Sequence, residues 1–311
     1  MRVLATIGFS FSAGVFLAAL LPWNGWQLYA AGGVLLLALA WLFAARKQKY
    51  FRRGLLILLP LAVSLAFFAG YDPLVRQPIE KRCGAASDFT ATVCDWPQAT
   101  ERGARVTVEL EGYHRARAVL YGEAELLAAR PGDTVTGTAQ WQSAAHFDSD
   151  DVTHFNARGV YALLYGREDV RLSAGDGDAL RWLPQRAGKA FREKVAAIWD
   201  DPRVSGFLTA ELTGDKSAMD DGDYLAMQET GLAHLFAVSG LHCAFLVTLL
   251  ALLISRRQRL LCAVTIPLLL FYMVMVGMSP SVVRACIMQI FLLIAPLFRR
   301  GSDPLTSLAA A

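Results

Sequence analysis

Charge is scarce in this chain. Asp, Glu, Lys and Arg make up 18% of its 311 residues, where soluble globular domains carry about 25%. Cysteine is scarcer still, with five residues in all. There is no CxxC pair and no zinc-type spacing, which sets aside a disulfide scaffold or a zinc ribbon. Nucleotide-hydrolysing motifs are missing too. Gly214-Asp-Lys-Ser217 looks like the end of a phosphate loop, but Asp215 separates the glycine from Lys216 and the upstream glycine spacing is absent. Any work this chain does on a cargo must draw on a gradient or on a partner.

Apolar residues are abundant, at 55% of the chain with a mean hydropathy of +0.37. They gather in runs of about 18 residues or more, enough to span a bilayer as helices. Such runs fall at 3–21, 26–45, 54–71, 235–254, 260–277 and 281–298. The first has no small-residue cleavage site and is read as a retained helix rather than a signal peptide. Basic clusters lie at Arg46–Arg53, at Arg256–Arg259 and at Arg299–Arg300. Placing all three in the cytoplasm gives a single topology. The N-terminus is then cytoplasmic, residues 72–233 are extracytoplasmic, and Trp23 and Trp26 mark the outer interface. Between residues 81 and 230 there are 17 Lys+Arg against 24 Asp+Glu. This outer part is acidic and lacks the electrostatic footprint of a duplex binder.

Residues 72–82, with Pro73 and Pro78, read as a polar linker. From Ser87 the hydrophobic period becomes two. Strands are predicted at Phe89–Val93, Arg105–Leu110, Arg117–Tyr121, Thr134–Trp141 and Gly159–Tyr165. Glu101-Arg-Gly103 marks the first turn, a short helix is expected at Glu123–Ala128, and Pro131-Gly132-Asp133 turns into the fourth strand. Five strands at this spacing suggest a small closed barrel such as an OB-fold, favoured over a generic β-sandwich. Such barrels often bind single strands through aromatics and basic grooves; the acidic balance here makes a scaffold or gating role equally well founded. Cys83 and Cys94 lie in this oxidising region and are a candidate disulfide, whereas Cys243, Cys262 and Cys286 fall in apolar spans and read as small core residues.

Three helices follow. Residues 184–200 are amphipathic, suited to a membrane surface or to the barrel. A second helix at 203–213 stops at Gly214. A third opens on a capping box, Ser217-Ala-Met-Asp220, and closes at Gly231. The domain boundaries expected are thus 1–72 for three membrane helices, 80–173 for the barrel, 174–233 for the surface helices and 234–311 for further membrane helices.

Chemistry concentrates in His234-Leu-Phe-Ala-Val-Ser-Gly-Leu-His242, at the mouth of an apolar run. Ionisable groups at membrane depth are costly and tend to be functional. Ser239 and His242 share a helix face, which permits a serine nucleophile with a histidine base. Against that, Ser239 can bond a preceding carbonyl and His242 can pair with a neighbouring helix. No buried carboxylate to orient the histidine is evident in the spans that follow. Ser239-Gly240 can also interrupt the helix, as happens where backbone lines a water-filled cavity. Arg284, in Gly277-Met-Ser-Pro-Ser-Val-Val-Arg284, either lines a pore or snorkels to the interface. Ser279-Pro280 makes a good helix start.

His234–His242, Leu212-Thr-Gly-Asp-Lys216, Gln228-Glu-Thr-Gly231 and Ser279-Pro-Ser-Val-Val-Arg-Ala285 together resemble the ComEC family of DNA-uptake proteins. The order of helices, outer OB-like domain and Pro-Gly-Asp turn is similar to the family's N-terminal part. The resemblance implies a polytopic α-helical protein of the bacterial cytoplasmic membrane, with an inserted extracytoplasmic β-barrel. It implies passage of a single DNA strand through a polar channel. His234, Ser239, Gly240, His242 and Arg284 become channel-lining candidates, with Asp215 and Lys216 near the outer entrance. No catalytic role, metal site or cofactor is expected. The implied partners are single-stranded DNA, the lipid bilayer, an outer DNA receptor, a cytoplasmic ATPase and single-strand binding proteins; homo-oligomerisation stays open. Cys243 departs from the family pattern, which has an ordinary apolar residue there. Ser302–Ala311 looks like a seventh span cut short, so a fragment or truncated product is expected, without the nuclease-like domain of longer members. Three other readings remain: a transporter for another polar solute, an intramembrane Ser/His hydrolase, and an assembly scaffold left after truncation.

Overall fold

The computed structural model describes residues 3–20, 26–44, 51–101, 103–114, 116–144, 155, 158–167, 169–214, 219–230, 240–254, 257–299, 301 and 303–311. The chain opens with three helices, α1 (Val3–Leu20), α2 (Trp26–Ala44) and α3 (Phe51–Tyr71). A π segment, Asp72–Arg76, and a last turn, α4 (Gln77–Glu80), follow. Seven strands come next: β1 (Ala86–Val93), β2 (Gln98–Thr100), β3 (Gly103–Leu110), β4 (Arg117–Gly122), β5 (Thr134–Ser143), β6 (Val160–Gly166) and β7 (Arg171–Ser173). Further helices follow: α5 (Leu183–Ile198), α6 (Pro202–Thr213), α7 (Asp221–Glu229), α8 (Gly240–Ile254), α9 (Gln258–Met275), α10 (Pro280–Ile294) and α11 (Pro304–Ala310).

Two compact units emerge, residues 1–77 with 287–311, and residues 78–286. The first is built on small residues that let helices approach. At Gly14 of α1 an added Cβ would fall 1.9 Å from the hydroxyl of Ser64 on α3. Ser64 is itself buried and donates to the carbonyl of Leu61 at 2.8 Å. Gly8 meets the backbone of Ala309 in α11 in the same way. Much of the remaining apolar surface stays uncovered: Phe16, Leu36 and Leu37 are each more than 60% exposed.

The expected linker at 72–82 is helical instead. Asp72 is buried and takes a hydrogen bond from the amide of Gln77 at 3.1 Å and an ion pair from Arg76 at 3.4 Å. Pro73 and Pro78 lie inside this continuous helix, where each removes a backbone donor, and the π segment Asp72–Arg76 begins one residue before Pro73. Helix through Glu80 makes Arg53–Glu80 one of three helices, among the described residues, long and apolar enough to cross a membrane, with Gln258–Met275 and Pro280–Phe298. The other three expected spans contain shorter apolar stretches, Val3–Ala18, Tyr29–Trp41 and Gly240–Ile254.

In the second unit the five predicted strands close into a barrel. Their order is β1-β3-β4-β6-β5, and β5 returns to pair with β1. The β4–β6 pair is parallel and the other four are antiparallel. With a 3-10 turn at Ala124–Ala128 between β4 and β5, this circuit fits an OB-like fold, not a sandwich. Alternation decides which side chains fill it: Ala91, Val93, Val106, Val108, Leu120, Val135, Trp141 and Leu164 are all buried. Short β2 and β7 pair onto β3 and β5; their three-residue lengths left no periodic signal. The Glu101–Gly103 turn belongs to the β2–β3 hairpin rather than to the β1–β3 connection.

The Pro131-Gly132-Asp133 turn is as expected. Gly132 has φ +100°, and its N–H bonds Val93 at 2.8 Å. Asp133, nearly buried, accepts from the N–H of Arg130 at 2.8 Å and of Gly175 at 3.0 Å. Its charge is thereby satisfied, which holds the entry to β5.

Cys83 and Cys94 do not pair; both are free thiols. They lie at opposite ends of the eight-residue β1. A strand of that length spans roughly 26 Å, far beyond the ~7 Å that a disulfide allows between Cα atoms. Each thiol instead faces a nearby carbonyl, Ile79 at 3.4 Å for Cys83 and Thr92 at 3.6 Å for Cys94.

Candidate functional site

The barrel is keyed to the helices through α5. The indole N–H of Trp96, in the loop after β1, donates to the carbonyl of Gln185 at 3.0 Å. On the same helix Gly188 packs against α9, where an added Cβ would lie 2.9 Å from the carbonyl oxygen of Met275. Trp96, Lys189 and Arg192, with Asp95 and Glu193, line a cleft of about 380 Å³ between barrel and helix. Its charges balance, so it offers no basic groove.

Helix α6 begins with Asp201 accepting from the N–H of Arg203 at 2.9 Å and with Pro202 in the first turn. It ends at Gly214, whose φ of +73° closes the helix with a bond to Ala210. Arg203 pairs with Asp223, including an Nε contact of 3.1 Å, which ties α6 to α7. The N-cap of α7 is Asp220, accepting from Asp223 at 3.3 Å, rather than Ser217. A carboxylate three residues before an open N–H is the better cap here. The helix stops at Thr230, whose hydroxyl bonds Ala226 at 2.9 Å; Gly231 and Ser217 lie outside the described residues.

Of the residues the sequence singled out, His234, Ser239, Asp215 and Lys216 also lie outside the described residues. Gly240 opens α8, and a Cβ there would touch the Cβ of Ala285 on α10 at 3.6 Å. His242 lies in the first turn of α8, with its Nε2 3.8 Å from Oε1 of Glu211 on α6. The histidine side chain is 20% exposed and the glutamate 33%. At 3.8 Å this is longer than a good hydrogen bond and becomes an ion pair when the imidazole is protonated. Arg284 is exposed, on the same stripe of α10 as Pro280 and Phe291, whereas Val282, Ala285 and Cys286 face inward. The structure thus brings Gly240 and His242 to a helix junction and leaves Arg284 on another face.

Sequence reasoning missed Glu211. It looked for a carboxylate in the following spans, and the one nearest His242 comes from the preceding surface helix. Its only sequence signal was its place next to Leu212-Thr-Gly. The meeting of Cys243 and Cys286, with sulfurs 3.5 Å apart across 43 residues of chain, had no signal in spacing. Cys286 also points at the carbonyl of Leu269 on α9, at 3.7 Å. Three helices therefore converge at one buried point. Thr265 of α9 is buried without a hydrogen-bond partner. Among the described residues no group of three or more His, Cys, Asp or Glu could hold a metal ion.

A family model described as "Competence protein" matches residues 212–311. ComE operon protein 3 of Bacillus subtilis (strain 168) is 35% identical over 91 residues, which are 28% of this chain and 12% of that protein. The match thus spans a small part of the relative's length. No solved structure matches the chain significantly.

Proposed function

We propose that this chain, which through residues 212–311 belongs to the ComEC family of competence proteins, acts in the uptake of DNA during natural transformation. In this reading it is a multi-pass protein of the cytoplasmic membrane. The six apolar segments span the bilayer, the basic loops face the cytoplasm and the barrel lies outside. One DNA strand passes along a polar path beside the start of α8, guided by His242 and Glu211 and by the segments that precede them. The work comes from partners or a gradient, and the acidic barrel serves as entrance scaffold as much as binding surface.

The observation that carries this reading is the competence-family match over the helices that meet at Gly240, Cys243 and Cys286. The uncovered apolar faces of α8, including Phe245, Leu252 and Leu253, support the membrane placement. The test is deletion of the gene in a competent host, followed by labelled duplex DNA and external nuclease. Loss of nuclease-protected single strand, restored by the wild-type gene, is expected. Unchanged protected strand after deletion sinks the reading.

A second reading, hydrolysis with Ser239 as nucleophile and His242 as base, gains one observation. A carboxylate, that of Glu211, lies 3.8 Å from the imidazole Nε2, and a carboxylate neighbour is what orients a histidine base. Fluorophosphonate labelling of Ser239 that is lost in Ser239→Ala supports it, and absence of labelling counts against it.

A further inference from the structure

We propose that Cys243 and Cys286 form an intramolecular disulfide that staples α8 to α10. Their sulfurs lie 3.5 Å apart and both residues are fully buried. Beside them a Cβ added at Gly240 would stand 3.6 Å from the Cβ of Ala285. The two helices therefore run about one methyl group apart, close enough for short cysteine side chains to meet.

Position along the helices gives the pair its compartment. Cys243 is the fourth residue of α8 and Cys286 the seventh of α10. At 1.5 Å per residue they sit roughly 4.5 and 9 Å from their helix starts. Helix α9 runs between the two, so α8 and α10 begin on the same side of the membrane. That side is extracytoplasmic if the topology proposed above holds, and this inference rests on that topology for its oxidising surroundings.

The oxidant is a disulfide, carried either by a thiol-oxidising protein of the outer compartment or by a lipid-soluble small molecule. One cysteine thiolate attacks it and releases a thiol. The second thiolate then displaces the remaining oxidant sulfur. One S–S bond forms in the chain and one is lost from the oxidant, and the two protons and two electrons leave as two oxidant thiols. Because the folded pair is buried, exchange takes place before α10 has packed onto α8, or through a small oxidant. The link lies one residue from His242 and two from Arg284, so it fixes the spacing of the helices on which both stand.

The test uses the full chain in its membrane. Cells are quenched with N-ethylmaleimide in denaturant and the protein is digested without reductant. A joined Cys243–Cys286 peptide pair is expected, lighter by two hydrogens than the sum of its parts and split by reductant. Cys243→Ala and Cys286→Ala should each abolish it and leave the other residue alkylated. Isolated membranes treated with dithiodipyridine form the second arm. A link that forms only there overturns the disulfide in the native protein and leaves two thiols near enough to be joined. Maleimide on both cysteines in both arms overturns the pairing itself, while leaving the uptake reading to its own test.

Discussion

The ammonium of Lys189 lies 3.9 Å from the centre of the Trp96 ring. The same indole donates its N–H to the backbone of Gln185, one turn earlier on α5. A loop of the barrel is thereby held to a helix by two interactions of different kinds. Trp96→Phe keeps an aromatic face for the lysine and removes only the hydrogen bond, so a loss of about 0.5–1.5 kcal/mol is expected. Trp96→Ala removes both and should cost more, the cation–π contact adding about 0.5–1 kcal/mol at this exposure. Thermal unfolding of the purified chain in detergent ranks the two. Equal melting temperatures for the variants would show that the ring contributes nothing.

Gly188 gives a sharper test of the same junction. Alanine in place of a helical glycine ordinarily stabilises by about 1 kcal/mol. Here the new methyl would press on the Met275 carbonyl at 2.9 Å, a backbone atom that cannot rotate away. Gly188→Ala is therefore expected to lower the melting temperature, with an overpacking cost of about 1–3 kcal/mol. Gly32→Ala on α2 is the control, because nothing lies within 4 Å of its added Cβ. A stabilised Gly188→Ala would mean that α5 and α9 are not in contact.

Much of this arrangement was legible before any coordinates, for a physical reason. Alternation along Arg105–Leu110 and Thr134–Trp141 betrays a strand with one face inside, and Gly132 with Asp133 betrays the turn that feeds it. Residues 184–198 show their face by spacing alone. Contacts that depend on where separate elements meet were invisible. Glu211 reaches His242 because α6 lies against the start of α8, and Cys243 finds Cys286 across two intervening turns of chain. Local pattern carries no such information. The candidate disulfide between Cys83 and Cys94 failed for a related reason: it rested on a shared oxidising region, which says nothing of distance, and an extended strand separates the two residues.

The Glu211–His242 pair separates a structural role from a functional one. Both side chains are partly exposed, so removing the pair should cost less than about 1 kcal/mol of stability. If the pair lines the path of a polymer, Glu211→Gln and His242→Gln should still lower the nuclease-protected strand by roughly tenfold or more, since one lost interaction of about 1.4 kcal/mol with the moving strand is a factor of ten. Melting curves and uptake measured on the same variants decide. A drop in uptake that only tracks the loss of folded protein would reduce the pair to a packing contact.

Thiol reactivity probes the barrel from outside the membrane segments. Burial, with Glu80 adding to it, pushes the Cys83 thiol up from 9.0 to about 11. Burial first and Glu109 second push Cys94 to about 11 as well, against the opposing pull of Arg117. The thiolate is the reactive form. A rise of about two units leaves roughly one hundredth of the ordinary thiolate fraction at neutral pH. Iodoacetamide should therefore modify both residues on the order of 100-fold more slowly in the folded chain than in denaturant. The rate should rise about tenfold per pH unit until the pH nears 11, as each thiol loses its proton. Peptide-resolved mass spectrometry across a pH series reads both sites at once. Fast labelling of Cys94 at pH 7 would mean that the end of β1 is open to solvent, and a joined Cys83–Cys94 peptide would mean that β1 is not the extended strand described here.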